Sequence, residues 1–311
     1  MNDAHALLIG ANEDHTFRHT VSRVRELGLN ADVLPLREFL DGATTRSVSG
    51  NLEFRYGTQT FRISSYRVIY HRMILDRHLL GRLTPRKLRL YQILVSCICN
   101  ASNAEITEVI NPLRRDDANA SKLLQLMALK SFGFHTPQSL VTNEPDVARR
   151  FVSKHGDCIY KSCSSIRSIV SQTPPVDSGI YETLRNSPVL FQERIVGVDI
   201  RVHGVGNQFF AEQIESSMVD YRYSEDNLHC QVDVPRSIKS KLLKYMKHSN
   251  LLVVGVDFKK CSQTGDWVIL EVNTLPGYSG YDQRSGGRIS ESLVQLIAQH
   301  SNEAMRSDQH L

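Results

Sequence analysis

Three residues could hold a cation together: Asp257, Glu271 and Asn273, within LLVVGVDFKKCSQTGDWVILEVNTLPG at 251–277. Two short apolar runs, LLVVGVDF and WVILEV, flank Ser262-Gln263-Thr264-Gly265-Asp266, whose composition is that of a turn, so the stretch predicts a β-hairpin. A turn centred on Thr264 sets Asp257 opposite Glu271, with Cβ atoms about 5 Å apart. Asn273, two residues on, points to the same side. Facing carboxylates repel unless a cation lies between them. Two carboxylates and a carboxamide are hard oxygen donors that suit Mg²⁺, an ion that also takes phosphate oxygens. The alternative is a pair of unrelated surface acids on a two-sided sheet. A slip of one residue would send them to opposite faces.

The elements that must position these groups follow from periodicity and turn chemistry. Residues 5–9 predict a strand, GANEDH and a helix to about Leu27 follow, and 30–34 predict a second strand. A hairpin around Tyr56-Gly57-Thr58-Gln59, a strand over 67–71, a basic helix over 82–99 and a strand at 109–110 complete the first third. Residues 119–132 have helical periodicity through Leu123, Leu126, Met127 and Lys130, and Gly133 ends the helix. A strand over 137–141 precedes a helix capped by Asn143, with Pro145 in its first turn and Asp146 three residues on. Strands are expected over 157–161, 168–172 and 189–196. Residues 199–205 and 208–215 form a hairpin across Gly206-Asn207, which sets Arg201 opposite Glu212. Helices are expected over 235–248 and 288–300. That order predicts an α+β (mixed α/β) protein and does not fit one doubly wound sheet. Gly10-Ala11-Asn12 is no dinucleotide fingerprint.

Composition bounds the function. The chain has 311 residues, 41% hydrophobic and 23% charged, with net charge +4, which is ordinary for a globular protein and no nucleic-acid footprint. Six cysteines at 97, 99, 158, 163, 230 and 261 form no CxxC pair, as expected of reduced thiols in a cytoplasmic protein. No apolar run approaches the roughly 18 residues of a membrane helix, so no membrane partner is expected.

Glu-x-Asn-x-x-Pro-Gly after a hydrophobic strand, with an Asp on the preceding strand, resembles the metal-binding end of the ATP-grasp carboxylate–amine ligases. The resemblance covers about residues 105–300. Through GVDIRV, VGVDF, EVNTLPG, the Asn-x-Ser-Lys at Asn119 and Tyr-Lys-Ser at Tyr160, it is nearest to RimK-like glutamate ligases and peptide-modifying relatives. It implies an ATP-grasp fold with an N-terminal pre-ATP-grasp α/β domain at 1–112, a central lid subdomain at 113–190 and a C-terminal metal-bearing subdomain at 191–311. It also implies ATP as phosphoryl donor and Mg²⁺ as cofactor, two ions with Mn²⁺ as an alternative, held by Asp257, Glu271 and Asn273.

The same resemblance assigns Lys122 and Lys161 to the ATP phosphates, Gln192, Glu193 and Ile195 to adenine, and Asp199 to the ribose hydroxyls. Solvent exposure is the competing reading for any single lysine, and it is weaker for Lys161, which interrupts an apolar run. Arg201 is implied at the γ-phosphate and the acyl-phosphate, with a cross-strand salt bridge to Glu212 as the bland reading. The implied chemistry is phosphoryl transfer from ATP to a carboxylate, then attack by an amine. The substrates are an unidentified carboxylate and amine, such as an amino acid with a peptide or protein; a homo-oligomer is left open. Arg222, Tyr281 and Ser285 are candidates for substrate contact, and Ser285-Gly286-Gly287 opens a helix whose N-terminus can bind an anion. The loop 162–168, SCSSIRS, departs from the family by having no glycine, which leaves it either a lid or a plain hairpin tip. That departure favours the alternative function, a non-catalytic nucleotide-binding regulator or scaffold.

Overall fold

A computed structural model describes residues 5–48, 51–73, 83–113, 122–163, 170–216 and 227–307. The chain forms two compact units. One comprises 1–114, 250–253 and 275–311, the other 115–249 and 254–274.

The first unit opens with β1 (Ala6–Gly10), α1 (His15–Glu26), β2 (Ala31–Pro35) and α2 (Leu36–Gly42). Then come β3 (Thr44–Val48), β4 (Asn51–Tyr56), β5 (Gln59–Phe61), β6 (Val68–His71), α3 (Pro85–Asn103) and β7 (Glu108–Ile110). β2-β1-β6-β7 make a parallel sheet. Every residue of β1 and β6 is buried, as a parallel sheet covered on both faces requires. β3-β4-β5 form a separate antiparallel sheet, including the expected turn at 57–58. Asp14 caps α1 by accepting from the N–H groups of Thr16 and Phe17, which satisfies donors a helix start leaves unpaired. Pro85 opens α3 behind the N-cap Thr84.

The second unit begins with α4 (Lys122–Ser131), β8 (Ser139–Thr142), α5 (Pro145–His155), β9 (Cys158–Ser162), β10 (Ser171–Gln172) and β11 (Val189–Glu193). Gly133, at φ +81°, ends the helical stretch before β8, a conformation only glycine adopts freely. The N-cap of α5 is Glu144, one residue later than the expected Asn143. The fixed φ of Pro145 suits the first helical position and moves the cap to the residue just before it. The sheet order is β10-β9-β11-β8, antiparallel throughout.

β12 (Gly197–Val205), β13 (Gln208–Glu215), β14 (Leu228–Val232), α6 (Arg236–His248), β15 (Val253–Cys261) and β16 (Trp267–Asn273) follow. They build a five-stranded sheet ordered β14-β13-β12-β15-β16. One face is apolar: Ile200, Val202, Val256, Phe258, Ile269 and Val272 are all buried. Finally α7 (Ser279–Arg284) and α8 (Arg288–Ser307) cluster with the first unit, where α8 packs on β1, β6 and α1. The stretch 191–311, expected as one subdomain, is thus shared between the two units. Among the described residues no helix is long and apolar enough to cross a membrane.

Candidate nucleotide and metal site

The other face of the five-stranded sheet is polar. Gln231 on β14 faces Glu212 on β13, which faces Arg201 on β12. The Arg201 Nη1 donates to Asp257 Oδ1 on β15 at 2.7 Å, and Asp257 faces Glu271 on β16. Each strand thus contributes one residue to a single row. Arg201 and Glu212 are buried, and a buried charge persists only when paired and hydrogen-bonded. The Arg201–Glu212 register is the expected one, set by the tight Gly206-Asn207 turn. Glu212 accepts from Gln231 Nε2 at 3.0 Å and bonds His229 Nδ1 at 2.5 Å.

Asp257 and Glu271 also face each other as expected, by a different route. Nearest the turn, Phe258, Lys259 and Lys260 pair with Ile269, Val268 and Trp267, and the register shifts between Asp257 and Phe258. Continued without that shift, the ladder would set Asp257 opposite Leu270 and turn Glu271 to the apolar face. One extra residue in β16 restores the pairing, which is what a β-bulge does beside functional groups. Asn273 Nδ2 donates to Asp257 Oδ2 at 3.2 Å, so all three side chains share one face.

Lys122, at the start of α4, brings its Nζ to 3.9 Å from Glu271 Oε2. Two carboxylates and two cations therefore balance one another across the sheet: Lys122 with Glu271, Arg201 with Asp257. The Asp257 and Glu271 side chains keep 25% and 28% exposure, enough for a ligand to reach their oxygens. Among the described residues no group of three or more His, Cys, Asp or Glu side chains could hold a metal. The set here has two carboxylates, and Asn273, donating through its nitrogen, keeps its amide oxygen for a cation. Such a set fits Mg²⁺ that takes its remaining ligands from phosphate and water.

The other expected residues fall on the same unit. Lys161 on β9 is buried, and its Nζ donates to Gln192 Oε1 on β11 at 3.2 Å, while Gln192 Nε2 donates to Ser139 Oγ at 2.9 Å. The Glu193 N–H donates to the Gln138 carbonyl at 2.9 Å. Ile195 follows in the segment between β11 and β12. Asp199 on β12 accepts from Lys259 Nζ at 2.8 Å. Lys259 was missed in the sequence because Lys259-Lys260 looks like a solvated end of strand. Gly197 was missed as well: a Cβ there would lie 2.0 Å from the Lys260 carbonyl oxygen, so only glycine allows β12 to start against β15.

Arg222, most of the 162–168 loop and the Asn119 start of the motif lie outside the described residues. Tyr281 and Ser285 belong to the first unit. Arg284 stacks over the Tyr281 ring at 4.9 Å, and the Ser285 hydroxyl donates to the Asp282 carbonyl at 3.0 Å. At the start of α8 the expected anion is internal: Asp282 Oδ1 accepts the Ser290 N–H at 2.8 Å, and its Oδ2 bonds His19 Nε2 at 2.6 Å. Burial pushes the Asp282 carboxyl up, but its bonds to Ser290 and His19 prevail and hold it below the usual range.

Solved structures share this fold. The ATP-grasp ligase PsnB, in complex with a minimal precursor, matches with TM-score 0.79 over 96% of this chain and 99% of that one, at 23% identity. This is the ATP-grasp fold. A Chryseobacterium gregarium RiPP-associated ATP-grasp ligase, in complex with ADP and a leader and core peptide, matches with TM-score 0.77 over 95% of this chain and 96% of that one, at 17% identity. Among curated relatives, a probable alpha-L-glutamate ligase of Shewanella sp. strain ANA-3 is 26% identical over 205 residues. That match covers 59% of this chain and 66% of the relative, just under two thirds of its length. No family model matches the chain. Asp199, Arg201, Asp257, Glu271 and Asn273 lie on the five-stranded sheet, Lys161, Gln192 and Glu193 on the four-stranded sheet, and Lys122 on α4, all in the second unit.

Proposed function

We propose that the chain is an ATP- and Mg²⁺-dependent carboxylate–amine ligase acting on an amino acid or a peptide through an acyl-phosphate. The observation that carries this reading is the balanced row Lys122–Glu271 and Arg201–Asp257, with Asn273 bonded to Asp257. It is supported by the ATP-grasp fold, by the PsnB complex with minimal precursor, Mg and ADP, and by the curated glutamate ligase.

In this reading Asp257, Glu271 and Asn273 hold Mg²⁺, two ions in all, and Mn²⁺ can replace it because carboxylate and carbonyl oxygens suit both. The ion would supply charge neutralisation at the phosphates. Lys122 and Arg201 exchange their carboxylate partners for phosphate oxygens as the nucleotide enters, so no charge is left buried and unpaired at any stage. Lys161 holds a second phosphate from β9, oriented by Gln192. Gln192, Glu193 and Ile195 meet adenine, and Asp199, held by Lys259, accepts from the ribose. A substrate carboxylate oxygen attacks the γ-phosphorus, the bond to the bridging oxygen breaks and ADP departs. The amine nitrogen then attacks the acyl carbon, phosphate leaves and the amine gives up a proton. The residues act by position and charge; no protein nucleophile is required.

The test is ADP release across amino acids and short peptides, with product masses determined. A substrate pair is expected to release ADP with net loss of one water on joining. Glu271→Gln should lower that rate about 100-fold or more with an unchanged thermal melt. An unaffected rate would remove Glu271 from the site.

A further inference from the structure

β16 is the outer strand of its sheet. An edge strand leaves alternate N–H and C=O groups without a ladder partner. At Val272 both groups are met by a single side chain. The Val272 N–H donates to Gln125 Oε1 at 2.9 Å, and Gln125 Nε2 donates to the Val272 carbonyl at 2.8 Å. The carboxamide thus imitates the main chain of a sixth strand. Gln125 is 2% exposed, in a helix turn whose neighbours are leucines, where a polar side chain is costly unless fully bonded.

The place it holds matters more than the bonds. Val272 sits between Glu271 and Asn273, so its peptide planes set the directions in which those two side chains leave the strand. The bulge that returns Glu271 to the polar face lies just before it, and a bulged edge strand is the part of a sheet most open to slipping. The edge is fixed on both sides of the extra residue: the Ile269 N–H donates to the His135 carbonyl at 2.8 Å, and Gln125 takes Val272. Gln125 also stands three residues after Lys122 on α4. One helix therefore carries both the cation paired with Glu271 and the clamp on the strand that bears Glu271.

We infer that Gln125 is a positioning residue: it holds the bulged edge of β16 in register and so tunes affinity for magnesium-loaded nucleotide without touching it. The inference rests on the nucleotide and metal reading above. It is tested by calorimetry on the full chain, titrated with ADP plus magnesium and, separately, with ADP plus a chelator. Gln125→Leu keeps the volume and removes both bonds. It should weaken binding of ADP with magnesium about 10-fold or more, as loss of an outer partner of metal ligands does, and leave binding with chelator unchanged. Gln125→Glu keeps the acceptor for the Val272 N–H and should fall between the two proteins; it carries the same readout if leucine unfolds the chain. Equal loss with and without magnesium would mark Gln125 as merely structural and overturn the inference, as would unchanged affinity in a folded variant. Wild-type protein that binds ADP without regard to magnesium overturns the metal reading itself, and this inference with it.

Discussion

Lys161 shows how a single residue separates structure from function. A buried lysine must have an acceptor, and Gln192 Oε1 supplies it. Lys161→Met removes the charge and leaves that acceptor short of a donor. Losing a partner in a buried site costs about 1–3 kcal/mol of stability, so a lower melting temperature is expected. Hydrogen bonds to charged groups contribute about 1.5–3 kcal/mol, so ADP affinity should fall about 10- to 100-fold. Calorimetry reads this directly, and equal affinity in both proteins would remove Lys161 from the nucleotide site. Lys161 stood out in the sequence because it breaks an apolar run. Lys259 and Gln125 did not, because one resembles a solvated strand end and the other a polar interruption of a helix. Their partners, Asp199 and Val272, are 60 and 147 residues away.

At the scale of elements, the start of β12 against β15 is the tightest constraint. Gly197 approaches the Lys260 carbonyl where a Cβ would lie 2.0 Å away, and Val196 and Ser262 bond across the same crossing at 2.9 Å. Gly197→Ala must push these strands apart, at a cost of about 1–3 kcal/mol typical of overpacking. The shift would separate Lys259 from Asp199, so a lower denaturation midpoint should be accompanied by weaker ADP binding. Wild-type stability in the alanine variant would mean that the crossing can relax. The two hairpins differ in how far the sequence announces them. Gly206-Asn207 is a two-residue turn that fixes the pairing of Arg201 with Glu212. The turn before β16 is longer, and the facing of Asp257 and Glu271 depends on a bulge that composition does not signal.

For the whole molecule, the first unit is assembled from three separate stretches of chain, and a buried histidine helps to join two of them. His71 Nε2 donates to the Asn111 carbonyl at 2.5 Å, and its Nδ1 accepts the Met73 N–H at 3.3 Å. Asn111 in turn accepts from the N–H groups of Leu252 and Val253 at 2.7 and 3.0 Å. Burial holds the His71 imidazole neutral, with its pKa pushed down to about 4 from 6.5. The unfolded chain therefore binds a proton that the folded one refuses. Stability should be fully present above pH 6.5 and fall as the pH drops toward 4, in the direction linkage requires. Denaturant midpoints at a series of pH values would show that slope, and His71→Gln should flatten it; an unchanged slope would assign the acid sensitivity to other groups.

By itself the sequence determined the local pieces: the strands and helices, the tight hairpin, the hydrogen-bonding types gathered in Asp257, Glu271 and Asn273, and the likeness to ATP-grasp ligases. These are legible because periodicity, turn residues and short spacings act over a few residues. Only the tertiary structure decided that β16 carries a bulge, that Arg201 reaches Asp257 while Glu212 takes His229 and Gln231, that Gln125 closes the sheet edge, and that α8 returns to the first unit. Those outcomes depend on which distant surfaces satisfy each other's charges and main-chain groups, and that pairing exists only once the chain is folded.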